Sequence, residues 1–162
     1  MFARYYIELA IPAGEVEASL LTKGMNGWLT SAIADGSTHE MRLMAEVGFA
    51  VKGKRFGRRG AVSVGEPKRI GQSMVVPLGW IASDQAGLLP KVEADLEIAP
   101  LGSKTTQVSL SARYTPPLGV VGQVLDRTLM HHVAEAVVKD TTERIVAVIR
   151  ERLAGSPPKR KI

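Results

Sequence analysis

Tyr5, Ile7, Leu9 and Ile11 alternate with Tyr6, Glu8 and Ala10, the two-residue period of a strand that buries one face. Pro12 and Gly14 stop that strand. Residues 15–21 then read as a short helix that opens on acids near its positive end and closes at Gly24. Asn26 can cap a second short helix carrying Trp28, Leu29, Ala32 and Ile33, before Asp35-Gly36 turns the chain. From there the pattern is β. Met41, Leu43, Ala45, Val47, Phe49 and Val51 form one row, and a strand near 61–65 ends at Glu66-Pro67. Met74, Val76, Leu78, Trp80 and Ala82 alternate next, with Pro77 on the opposite row predicting a bulge or a sheet edge. Val92, Ala94, Leu96 and Ile98 oppose Glu93, Asp95 and Glu97; Val108, Leu110, Ala112 and Tyr114 oppose Gln107, Ser109, Ser111 and Arg113. Strands separated by turns, each with one apolar face, make an antiparallel meander the economical topology.

Thr115-Pro116-Pro117 predicts a helix start, with Thr as cap and Pro at the first helical positions. No breaker follows Gly122 until Gly155-Ser156-Pro157-Pro158. The apolar positions of this helix fall on a four-residue row: Val121, Leu125, Leu129, Val133, Val137, Ile145, Ile149 and Leu153, with Thr141 its polar member. Such a row turns about 40° per step at 3.6 residues per turn. A straight helix cannot bury it on one face, so either a curved sheet wraps the helix or its two ends meet different partners.

The chain has 162 residues, 45% of them hydrophobic and 23% charged, which predicts one globular domain over 1–155 and a basic flexible tail over 156–162. It has no cysteine, which excludes disulfides, thiolate zinc sites and cysteine nucleophiles. No apolar run reaches the ~18 residues of a membrane span, and the N-terminus lacks a signal-peptide core, so a soluble cytoplasmic protein is expected. The net charge of +5 is concentrated in Lys52, Lys54, Arg55, Arg58 and Arg59 and in Lys159, Arg160 and Lys161, leaving the rest of the chain at about −3. A nucleic-acid binder spreads its cations over one face among aromatic residues; only Phe56 sits in the first cluster. Nucleic-acid or weak anionic-surface contact through 52–59 is therefore a secondary reading.

No charged side chain stands on the apolar rows of the best strands; their polar atoms are the Tyr114 hydroxyl, the Trp80 indole N–H and, at a strand start, Thr106. Acid–base or nucleophilic chemistry needs ionisable groups inside the site. Such an interior suits an apolar ligand oriented by a few hydrogen bonds, and the same residues equally suit a plain packed core. The ionisable candidates lie on the long helix, at Asp126, Arg127, His131, His132 and Glu135. Adjacent histidines point about 100° apart and do not readily share a ligand. His131–Glu135, Glu135–Lys139, Lys139–Glu143 and Asp140–Arg144 are four apart, the spacing of a solvated charge ladder. No metal or cofactor is expected. The glycines at 53, 57 and 60 do not form a phosphate-binding loop, and Gly119 and Gly122 suit close packing.

The segment Tyr114-Thr115-Pro116-Pro117-Leu118-Gly119, with Gly122, Asp126-Arg127 and Val133-Ala134, resembles the entry into the last helix of the START-like (SRPBCC) superfamily. Val76-Pro77-Leu78-Gly79-Trp80 and Leu89-Pro90 are similar to the same group, which includes polyketide cyclases and lipid-transport domains. The resemblance spans essentially the whole chain through structural motifs. It implies an α+β helix-grip fold, with a curved antiparallel sheet of six to seven strands around a long C-terminal helix and two short helices after the first strand. The residues read as six strands where the family has seven. A hydrophobic cavity between sheet and helix is implied, walled by Phe49, Leu78, Trp80, Leu96, Leu110 and Tyr114 and closed by Leu118, Val121, Leu125 and Leu129. The expected function is carriage or sensing of a small hydrophobic, lipid- or polyketide-like molecule. The alternative is a cyclase or dehydratase using Asp126, His131 or His132, disfavoured because no ionisable group lies on the inward rows. Ligand identity and oligomeric state are not specified by these features.

Overall fold

The computed structural model of the chain describes residues 1–22, 24–34, 62–81, 91–115 and 127–155. In chain order these form β1 (Phe2–Leu9), α1 (Ala13–Leu20), α2 (25–34), β2 (Val62–Val64), β3 (Lys68–Ile70), β4 (Ser73–Ile81), β5 (Lys91–Pro100), β6 (Thr106–Thr115) and α3 (Arg127–Ala154). The six strands make one curved antiparallel sheet in the order β1-β6-β5-β4-β2, with β3 beside the other end of β4. β4, β5 and β6 form the expected meander, and β1 closes against β6. The row 41–51 and the basic run 52–59 lie outside the described residues, as do the expected helix start at 116–126 and the tail 156–162. Thr115, the expected cap, is the last residue of β6.

β1 lies earlier than its alternation predicts. Its ladder with β6 runs from Phe2↔Arg113 to Leu9↔Thr106 and ends there. Beyond Leu9 the backbone bends, and the Thr106 hydroxyl donates 2.6 Å to the partly buried Ile11 carbonyl, which gives that group a partner outside the ladder.

The kink expected at Pro77 falls on its neighbour. β4 keeps unbroken register with β5 from Met74↔Ile98 to Ile81↔Lys91, with Pro77 opposite Asp95. The interruption lies in the chain on the other side, where Gly65-Glu66-Pro67 separates β2 from β3. Gly65 N–H donates 2.7 Å to the Pro77 carbonyl, so both backbone groups of Pro77 face that break. The missing N–H of proline thus points where no ladder bond is required. β3 itself was not legible as a strand. It is a three-residue exposed segment turned back into β4 at Gly71, whose φ of +59° suits glycine. Arg69 grips Glu17 of α1 through both guanidinium nitrogens, at 2.9 and 2.7 Å, and so holds β3 against the helix.

α3 shows why a four-residue row appeared in its sequence. Val133, Val137, Thr141, Ile145 and Ile149 are all buried, and the parallel row Ala134, Val138, Thr142 and Val146 is buried beside them. Four steps of four residues turn the buried stripe about 160° around the helix. The helix packs against β1, β6 and α1. Lys139 stands 6.0 Å over the Tyr5 ring of β1, whereas near the C-terminal end Arg152 donates 2.6 Å to Thr22 and stacks 5.1 Å over Trp28 of α2. The winding stripe therefore follows a change of partner, from sheet to helices. Thr142 returns its hydroxyl to the Val138 carbonyl at 2.6 Å, which lets a polar side chain be buried within the stripe.

Candidate ligand-binding site

The strand registers align the inward side chains into rows across the sheet. Val62, Trp80, Val92 and Tyr114 make one row, and Val76, Leu96, Leu110 and Tyr5 make another. Between them runs Leu78, Ala94, Ala112 and Ala3, so a trough of small side chains crosses the concave face between two bulkier ridges. α3 packs against β1 and β6, the strands that carry Ala3 and Ala112.

At the opposite side of the sheet, a pocket of about 510 Å³ opens beside β2, β4 and β5. Val62, Val64, Leu78, Trp80 and Val92 give it an apolar wall, and Ser63, Gly79, Lys91 and Glu93 stand on its polar side. A side chain at Gly79 would press within 2.7 Å of the Ser63 hydroxyl, so glycine keeps that wall thin. Lys91 donates 2.7 Å to Glu93 at the rim. That hydrogen bond, followed by the Lys91 charge itself, holds the Glu93 carboxyl below its ordinary value.

Of the ten residues named as cavity walls, Leu78 and Trp80 line this pocket. Leu96 and Leu110 are fully buried in the neighbouring row, and Tyr114 closes the Trp80 row at 2% exposure. Phe49, Leu118, Val121 and Leu125 lie outside the described residues, and of Leu129 only the helical backbone is described. Val62, Val64 and Val92 were not named. Alternation marks Val92 as inward, whereas the strand near 61–65 gives no face for Val62 and Val64; the place of all three beside Leu78 and Trp80 follows from register, which no local pattern carries.

Asp126 also lies outside the described residues. His131 and His132 occupy the exposed side of α3, away from its buried stripe. Both histidines approach Glu135. His131 Nε2 is 3.1 Å from one carboxylate oxygen and His132 Nδ1 3.7 Å from the other. The carboxylate spans them because positions three and four residues back both overhang it. Of the other spacings in the ladder, Arg144 donates to Asp140 at 2.7 Å, while Lys139 turns to Tyr5. Among the described residues, no group of three or more His, Asp or Glu side chains is placed to hold a metal ion. Among the described residues, the buried polar side chains besides Trp80 and Tyr114 are Ser19, Thr106, Ser109, Thr141 and Thr142.

A second recess of about 450 Å³ lies between α2 and α3, lined by Gly27, Trp28, Ser31, Ala32, Arg144, Ala147 and Val148. The Trp28 indole N–H is buried at its margin without an acceptor.

No protein-family model and no curated protein matches this sequence. Among solved structures, a conserved protein from Geobacillus kaustophilus is similar at a TM-score of 0.52 and 13% identity, over 93% of this chain and 96% of that one. A hypothetical protein from Helicobacter pylori gives a TM-score of 0.43 at 10% identity, over 91% and 86% of the two chains. An aromatase/cyclase from Streptomyces sp. R1128 gives 0.37 at 16% identity, over 100% and 99%. Likeness at such identities speaks to fold and not to activity. Among the described residues no helix is long and apolar enough to cross a membrane. A curved antiparallel sheet, two short helices after its first strand and a long C-terminal helix packed on it together give this chain a helix-grip α+β fold.

Proposed function

We propose that the chain binds a small hydrophobic molecule, lipid- or polyketide-like, in the pocket beside β2, β4 and β5, on the half of the sheet away from the C-terminal helix, and acts as its carrier or sensor. One observation carries this reading. Among the described residues, the inward rows of the long strands β1, β4, β5 and β6 hold no side chain charged at neutral pH, and Val62, Leu78, Trp80 and Val92 border a pocket of about 510 Å³ whose other side is formed by Ser63, Gly79, Lys91 and Glu93. That volume falls within the roughly 300–1,000 Å³ of small-molecule sites. An apolar wall binds by removing apolar surface from water, and the charged pair at the pocket, Lys91 and Glu93, is engaged with itself at the exposed rim. Of the helix candidates for acid–base chemistry, His131 and His132 are exposed and Asp126 lies outside the described residues. The proposed contacts are Leu78 and Trp80, with Tyr114 at the end of the Trp80 row.

The two tryptophans make the test direct. In a Trp28→Phe variant, Trp80 is the remaining reporter, and titration with an anilinonaphthalene dye should change its fluorescence saturably. In Trp80→Phe, Trp28 should report no such change. Absence of saturable binding in both variants and in the unmodified chain would leave a solid interior and end this reading.

A further inference from the structure

The two edges of the sheet are built differently. At one edge, β2 and β3 have three residues each, are separated by Gly65-Glu66-Pro67, and carry Lys68 and Arg69. Short strands, proline and lysine are the devices that keep an edge from pairing with another chain. At the other edge, β1 has eight residues in unbroken register with β6, no bulge, no proline and no lysine. Among the described residues no strand pairs with its far side.

The direction of its backbone follows from one pair. The Met1 amino group donates 2.8 Å to the Tyr114 carbonyl, and the Tyr114 N–H donates 2.7 Å to the Met1 carbonyl. Residues alternate along an antiparallel ladder, so Ala3, Tyr5, Ile7 and Leu9 also turn their polar groups toward β6. Phe2, Arg4, Tyr6 and Glu8 therefore present N–H and C=O to the open edge. The same four side chains lie on the sheet's outer face, where Phe2 is 61% and Tyr6 55% exposed.

We propose that β1 pairs antiparallel with β1 of a second copy of this chain, about a twofold axis through Tyr6, so that two sheets become one. Charge selects the register. Centring on Arg4 sets two guanidinium groups opposite each other, and centring on Tyr5 leaves both charges facing aromatic rings. Centring on Tyr6 places Arg4 opposite Glu8 of the second copy, and Glu8 opposite its Arg4. The pairs Arg4–Glu8, Tyr6–Tyr6 and Glu8–Arg4 are then those that exchange backbone bonds, about six in all. Arg4 already lies 3.6 Å from Glu97 on the same face, so a second carboxylate would bracket its charge. A closed twofold contact uses the same patch on both copies and stops at the dimer.

The test is a charge exchange read by analytical ultracentrifugation, on chains tagged at the C-terminus. The unmodified chain should sediment as a dimer that dissociates on dilution. Glu8→Arg and Arg4→Glu, each alone, set like charges opposite at two symmetric places and should weaken dimerisation by about tenfold or more. An equimolar mixture of the two variants should recover it, because each chain then supplies the charge the other lacks. That recovery also shows that both variants keep the strand, since an unfolded chain could not complement. A monomer at every accessible concentration, a dimer indifferent to either substitution, or a mixture that stays monomeric would each overturn the proposal.

Discussion

The half of the sheet under α3 and the half bordered by β2 share one inward pattern but differ in what lies above it. Leu110 on β6 and Leu78 on β4 are both leucines on apolar rows of long strands, and both are buried. α3 packs over β1 and β6, whereas Leu78, though only 5% exposed, borders the pocket of about 510 Å³. Alternation decides which face a residue takes, and the element crossing above decides how many atoms it touches. The energetic weight of equivalent positions should therefore diverge across the sheet.

The largest expected effect tests that divergence. Leu110→Ala should cost about 3–5 kcal/mol in denaturant unfolding, since its neighbours cannot close the hole. Leu78→Ala should cost about 2 kcal/mol, because a side chain beside an existing space has fewer contacts to lose. Equal losses would break the comparison and mean that the pocket side is packed as fully as the helix side.

The next effect belongs to the covered half alone. Thr106 is fully buried, and its hydroxyl is the donor that reaches the Ile11 carbonyl where β1 ends. Thr106→Val keeps the shape and leaves that carbonyl unsatisfied, so unfolding should become easier by about 1–3 kcal/mol. A neutral result would show that water reaches the turn and that β1 is held by its ladder.

What could be read from the sequence divides along the same physical line. β5 and β6 were legible residue by residue because strict alternation is a local signal, strongest where one face is dry. β3 was not, because Lys68, Arg69 and Ile70 are all exposed and their place depends on Arg69 meeting Glu17 fifty-two residues away. In α3 the row through Val133 and Ile149 was legible, yet Met130, Ala134, Val138 and Val146 share its burial through packing on two sides. Ser109 was assigned to the solvent face by parity and lies there, but it is 1% exposed, with Arg4 donating 3.3 Å to its hydroxyl. Around the pocket, Leu78 and Trp80 were legible as inward, while the three valines beside them required the register.

A smaller effect is expected on the outer side of α3, which neither half of the sheet touches. His131→Ala and His132→Ala remove exposed contacts to Glu135 and should each change stability by no more than about 0.5 kcal/mol. Dye binding followed through Trp80 should be unchanged in both. A large loss of binding in either would move the site onto the helix surface and revive the catalytic reading.

The smallest effect sits on the pocket rim and depends on pH. Glu93 is exposed, and its carboxyl is lowered first by the hydrogen bond from Lys91, then by the Lys91 charge, with Arg113 acting in the same direction. A carboxylate whose value is lowered on folding stabilises the fold above its unfolded value, and that contribution disappears as pH falls through the folded one. Glu93→Gln should therefore lower the melting temperature slightly at neutral pH, and the difference should close on acidification through the carboxylate range. It should also shrink in high salt, as an exposed ion pair does. A difference that persists in acid would assign Glu93 a packing role in the pocket wall, and the rim would then be as tightly built as the covered half of the sheet.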